Sequence, residues 1–148
     1  SPLLLAALNN DRSLIFMDIL AAGFMLLFII IESVADNQLF RFQQEKKKPD
    51  KKDNKYKKSL KNGFLSEGMW KYARHPNFAS EQAIWISFYF FGVAASGKLI
   101  NITLAGAVLL VLIFAGSTIM TEGISSKKYP EYFVHQKEVP KFIPKIKR

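Results

Sequence analysis

The chain has 148 residues; 49% are hydrophobic and 14% aromatic, yet 22% are charged and the net charge is +9. That length suits a single domain, and the absence of cysteine excludes a disulfide framework and thiolate chemistry. Such a composition is consistent only if charge and hydrophobicity are segregated along the chain, which they are, and the pattern predicts an all-α, polytopic helical membrane protein.

The chain opens on Ser1-Pro2, without methionine, and runs into Leu3 to Leu8. That apolar run is too short to span a bilayer and lacks the basic flank of a signal peptide. It reads as the end of a longer hydrophobic segment, so a missing N-terminal segment is expected, with this chain the C-terminal part of a longer protein. Asn9 to Arg12 form a polar break, and Asp11 or Ser13 is a candidate helix cap. From Leu14 to Val34 the chain is apolar apart from Asp18 and Glu32, the length a transmembrane helix needs. Asp36 lies four residues after Glu32, on the same helical face. The two acids either end the span against headgroups or point into a polar pocket.

Arg41 to Lys61 holds ten Lys or Arg against three acids, with Pro49 in its middle. Large apolar side chains are sparse, so residues 41–61 read as a solvated, partly flexible Lys-rich loop. Its place between spans marks the cytoplasmic side and attraction to anionic membrane lipids, and argues against nucleic acid as a partner.

Asn62-Gly63 is a turn signal, and Phe64, Leu65, Met69, Trp70 and Tyr72 suit the headgroup level. A polar cluster follows: Arg74, His75, Asn77, Ser80, Glu81 and Gln82. Pro76 fits the first turn of a new helix. A helix over about residues 76–95 brings Asn77, Glu81, Trp85 and Phe88 to successive turns of one face. Leu99 to Thr121 is another apolar run, in which Gly106 and Gly116 are available for close helix packing, and it ends on Glu122. Residues 125–148, with seven Lys or Arg and three prolines, read as a basic interfacial tail.

Three spans, at about 13–35, 77–96 and 99–121, place the Lys-rich loop and the C-terminus on one side, and the opposite loop carries only Lys98. By the positive-inside rule that shared side is cytoplasmic. Glu32 with Asp36, the Arg74–Glu81 cluster and Glu122 then converge on one level, which marks a pocket at the membrane surface. Arg and Lys there suit phosphate or carboxylate, and an adjacent apolar region suits a lipophilic small-molecule substrate. A metal site is not expected: His75 and His135 are the only histidines, they lie far apart in sequence, and no HxxxH spacing occurs. No GxSxG elbow supports a serine nucleophile.

Gly68-x-Trp70-x-Tyr72-x-Arg74-His75-Pro76-Asn77-Phe78-x-x-Glu81, followed by Trp85, resembles the signature of the steroid 5-alpha-reductase C-terminal domain, in its DUF1295 branch. Lys128-Tyr129-Pro130-x-Tyr132, Val139-Pro140-x-Phe142-Ile143-Pro144 and the step Ala35-Asp36-x-Gln38 are similar too. The resemblance implies a helical membrane oxidoreductase that transfers hydride from NADPH to an activated carbon–carbon double bond, typically of a steroid or lipid enone. It places Asn77, Glu81, Arg74, His75, Asp36, Glu32, Glu122 and Tyr129 at the cofactor. The family's substrate-carbonyl groups lie in an N-terminal half with no counterpart here, so the catalytic residues are left unassigned. The chain also resembles isoprenylcysteine carboxyl methyltransferases, which use S-adenosylmethionine and share the RHP motif, although Thr121-Glu122-Gly123 stands where they carry a doubled glutamate. A third reading is a non-catalytic membrane subunit packed among partner subunits.

Overall fold

The computed structural model describes residues 16–48 and 55–144. The run Leu3 to Leu8, the polar break with its candidate caps, and Pro49 at the middle of the Lys-rich segment lie outside the described residues.

Every regular element among the described residues is helical: α1 (Phe16–Lys47), α2 (Lys57–Asn62), a 3-10 turn (Gly68–Lys71), α3 (Pro76–Ser96), α4 (Ile102–Lys128) and α5 (Tyr132–Glu138). Two of these, α1 and α4, are long and apolar enough to cross a membrane, and only 6% and 17% of their most apolar stretches are buried. Their leucines and isoleucines, such as Leu26, Ile30, Leu109 and Leu112, face outward. Three spans were expected. The middle one forms as a helix almost at the expected limits, but with Asn77, Ser80, Glu81 and Gln82 in its opening turns it is not among the helices long and apolar enough to cross.

The Lys-rich segment departs most from expectation. It is not a loop from residue 41: α1 continues to Lys47 because Gln, Glu and Lys are good helix formers. The face carrying Ala35, Phe42 and Lys46 docks on the rest of the chain, leaving Ala35 and Phe42 almost wholly buried. At the far end of the segment Lys55, Lys57, Lys58 and Lys61 are exposed as expected, but Tyr56 and Ser59 are buried. Tyr56 packs edge-on to Phe42, with ring centroids 6.1 Å apart, and joins Phe42, Leu65 and Trp70 in one buried cluster. Ser59 is fully buried, its hydroxyl donating to Glu67 Oε2 at 2.6 Å and accepting the Ser66 N–H at 2.9 Å.

Contacts divide the chain into two units. The first comprises residues through Ile30 together with Ser80–Ala115. There Asn101 caps α4 by accepting the Thr103 N–H at 2.9 Å. Close helix approach occurs at Gly92, where a Cβ would overlap the Thr103 side chain; Gly116 faces open space, and Gly106 only reaches ordinary contact distance from Trp85. The expected Gly106 and Gly116 contacts are therefore replaced by one on the preceding helix. Glu81, Trp85 and Phe88 do meet on one face of α3: Trp85 Nε1–H donates to Glu81 Oε1 at 3.0 Å, and the Trp85 and Phe88 rings stand 5.7 Å apart. This unit also holds an apolar groove of about 390 Å³, lined by residues that include Leu20, Phe24, Phe28, Ile86 and Phe90.

The second unit comprises Ile31–Ala79 and the chain from Gly116 onward. The 3-10 turn sits against α1 through two bonds. The Met69 N–H donates to Gln38 Oε1 at 2.9 Å, and Trp70 Nε1–H donates to the Ala35 carbonyl at 3.2 Å. The tail is docked rather than free: the N–H groups of Arg74 and His75 donate to the carbonyls of Pro140 and Lys141 at 2.9 and 3.0 Å.

Candidate functional site

The second unit contains a cleft of about 410 Å³, within the range of small-molecule sites. Its wall is built from α1 (Phe42, Gln43, Lys46), the turn after α2 (Gly63, Phe64), the segment entering α3 (Arg74, His75, Asn77, Phe78), and the end of α4 with α5 (Lys128, Tyr129, Tyr132, His135). Pro76 is the first residue of α3, where its missing N–H costs nothing and its fixed φ suits the helix. That start places His75 and Asn77 on either side of the helix entrance.

Glu122 ties the entrance to α4. It is 7% exposed, and its Oε1 lies 2.9 Å from His75 Nε2 and 3.4 Å from Arg74 Nε. Its Oε2 accepts from Gln136 Nε2 at 3.2 Å and lies 3.9 Å from Lys141 Nζ. Burial holds the His75 imidazole below its usual range, against the opposing pull of Glu122. His75 is therefore neutral near pH 7, with Nε2–H donating to the carboxylate.

Two cleft-lining side chains keep unsatisfied polar atoms. Arg74 Nε is buried and makes no hydrogen bond among the described residues; its approach to Glu122, at 3.4 Å, is ionic. Asn77 donates Nδ2–H to Asp36 Oδ1 at 3.0 Å, while its Oδ1 is buried without a described partner. A buried polar atom left without a partner costs about 1–3 kcal/mol; for Arg74 Nε the Glu122 carboxylate at 3.4 Å offsets this, whereas Asn77 Oδ1 has no such compensation among the described residues.

The lining also carries a basic cluster around Tyr129. Lys46 Nζ donates to the Gly63 carbonyl at 2.6 Å and to the Tyr129 hydroxyl at 2.8 Å. That hydrogen bond from Lys46 lowers the Tyr129 phenol pKa. Gly63 closes α2 in a left-handed conformation, φ 85°, and a Cβ there would overlap the Tyr129 ring. Only glycine satisfies both the turn and that approach. The lining includes Tyr132, whose phenol burial raises to about 12, and His135, which burial lowers to about 4.

Of the residues expected at the site, Arg74, His75, Asn77 and Tyr129 line the cleft. Asp36 is bonded to Asn77, and Glu122 holds Arg74 and His75 from behind. Glu32 lies one helical turn before Asp36 on α1 and does not line the cleft; Glu81 belongs to the first unit, bonded to Trp85. Lys46, Lys128, Gln136 and Lys141 were not among the expected residues. Lys46 was hidden in a segment read as a solvated loop, and Gln136 and Lys141 in one read as a basic interfacial tail; Lys128 stood in the Lys128-Tyr129-Pro130-x-Tyr132 motif without an assigned role.

His75 and His135 both have folded pKa values below the unfolded value of about 6.5. Below that pH the unfolded chain takes up protons that the folded chain refuses, so stability is full above about 6.5 and falls as pH drops towards about 4. The melting temperature in detergent is expected to be lower at pH 5 than at pH 7.5. His135→Phe, which can pack against the same Phe64 and Tyr132 rings, should flatten part of that dependence; an unchanged slope would contradict the assignment.

Among the described residues, an all-helical fold with two membrane-length helices and a basic cleft defines the class. The chain belongs to the DUF1295 family: the family model, described as "Protein of unknown function (DUF1295)", matches residues 1–139. It is similar to an uncharacterized protein of Schizosaccharomyces pombe, 37% identical over 155 residues that cover 99% of this chain and 44% of the relative. The chain thus spans less than half the length of the curated relative it matches. No solved structure matches it.

Proposed function

We propose that this chain is the cofactor-binding part of a membrane reductase that uses NADPH to reduce a carbon–carbon double bond in a lipophilic substrate, a steroid- or lipid-like enone. The observation that carries the reading is the cleft lining: Arg74, Lys46 and Lys128 with two histidines, four Phe or Trp rings, and no Asp or Glu. Such a surface favours an anionic, ring-bearing ligand. The residues fit a nicotinamide dinucleotide: Arg74 suits its diphosphate, the lysines suit a further phosphate group, and the unpartnered Asn77 Oδ1 suits an amide or ribose hydroxyl donor. When bound, NADPH supplies the hydride. Asp36 fixes the orientation of the Asn77 amide, Glu122 fixes Arg74 and His75, and the aromatic wall excludes water. The apolar groove of the first unit supports a lipophilic partner for the reaction.

The same charge disfavours S-adenosylmethionine, whose sulfonium is a cation and would meet three others with no acid in the lining. The arrangement proposed in the membrane has α1, α3 and α4 as three spans, with the Lys-rich segment and the C-terminus cytoplasmic.

Transfer of label tests the reaction. Native membranes containing the full-length protein are given NADPH deuterated at the hydride position or S-adenosylmethionine with a deuterated methyl group, with membranes lacking the protein as background. Protein-dependent deuterium in the lipid extract is expected from NADPH alone. Label from the methyl donor alone would establish a methyltransferase instead, and label from neither would favour a non-catalytic subunit.

A further inference from the structure

The cleft carries positive charge beyond that of Arg74. Arg74 has Glu122 as counter-ion. Lys46 has no carboxylate partner among the described residues: its ammonium is held by two neutral oxygens, the Gly63 carbonyl and the Tyr129 hydroxyl. Two of its three N–H donors are thereby used and one is left. Lys128 Nζ stands 5.5 Å from the centre of the Tyr129 ring, so two ammonium groups converge on one phenol. The hydrogen bond from Lys46, with a smaller contribution from Lys128, holds the Tyr129 phenol pKa below its ordinary value. Gly63, by admitting the Tyr129 ring where any Cβ would collide, gives the cluster a fixed backbone frame.

We propose that Lys46, Lys128 and the Tyr129 hydroxyl form a subsite for a dianionic phosphate monoester in the cleft. A dianion recovers the uncompensated charge of both lysines, whereas a monoanionic diester recovers about half of it. In assigning the subsite to the 2′-phosphate of NADPH, the inference rests on the reductase reading. A lipid headgroup that ends in a phosphate monoester carries the same chemistry and could come from the membrane.

NADPH and NADH differ only in that monoester, so paired fluorescence titrations of the purified full-length protein read the subsite directly. A second arm measures binding to phosphatidylcholine vesicles carrying phosphatidic acid, a monoester, or phosphatidylserine, a diester. Wild type is expected to bind NADPH about tenfold or more tightly than NADH, the scale of one charge-assisted contact. In Lys46→Met that ratio should fall towards one with NADH affinity retained, which also reports a folded cleft. Should Lys46→Met lose NADH affinity, Lys128→Met, a change at an exposed side chain, is expected to lower the ratio alone. Preference for phosphatidic acid vesicles that Lys46→Met removes, with neither nucleotide bound, would uphold the subsite with a lipid occupant and overturn the nucleotide reading. Equal NADPH and NADH affinity in wild type together with equal binding of both vesicle types would overturn the subsite, as would lysine variants that weaken NADPH and NADH equally.

Discussion

Glu122→Leu is expected to destabilise the protein by about 3–5 kcal/mol, the typical cost of removing one partner from a buried ion pair. The reason lies in what stays behind. Arg74 is 11% exposed at its side chain and cannot neutralise itself. Without the carboxylate its guanidinium is left buried, and Gln136 Nε2 and His75 Nε2 lose their acceptor. The damage should extend to the docked tail, because the backbone bonds from residues 74 and 75 to 140 and 141 share the same anchor. Glu122→Gln keeps an acceptor and should cost less, about 1–3 kcal/mol. Combining Glu122→Leu with Arg74→Leu should recover much of the loss, since removing both members of a buried pair is often near neutral. Thermal unfolding in detergent reads all three. A wild-type melting temperature for Glu122→Leu would show that the network is not structural.

Arg74→Met is expected to weaken NADPH binding about 10- to 100-fold, since hydrogen bonds to a charged group contribute about 1.5–3 kcal/mol and each 1.4 kcal/mol is a factor of ten. The fold should survive, because Glu122 keeps His75, Gln136 and Lys141 as partners. Arg74→Lys separates charge from geometry. It keeps the cation but loses the planar fork, so it should recover only part of the affinity if Arg74 grips phosphate in the bidentate manner. Asn77→Leu should have a smaller effect, because it removes one neutral acceptor. Equal affinity in wild type and Arg74→Met would place the cofactor elsewhere.

The long helices were legible because apolar runs of spanning length and the Pro76 start are local signals. The gathering of Asp36, the Arg74–Glu81 cluster and Glu122 at one level was legible as well, but not which side chains pair. The structure joins Asp36 to Asn77, and Arg74 and His75 to Glu122. Lys46 escaped notice for a physical reason. Its partners Gly63 and Tyr129 lie 17 and 83 residues away, and no periodicity links them. Nine lysines between residues 41 and 61 read as uniformly solvated, although the turn of helix carrying Phe42 and Lys46 is pinned by aromatic packing. Gln136 and Lys141 were hidden likewise in a tail whose composition suggested an extended basic end. Glu32 and Glu81 show the converse: they carry the right chemistry at the right helical spacing, yet neither lines the cleft.

The central claim is that the cleft of the second unit is an NADPH site. Fluorescence titration of the purified protein with NADPH, run beside a calorimetric titration with S-adenosylmethionine, tests it most directly. Saturable binding of NADPH at one site, weakened in Arg74→Met, with no saturable binding of S-adenosylmethionine, is the predicted result. Saturable binding of S-adenosylmethionine with none of NADPH would contradict it.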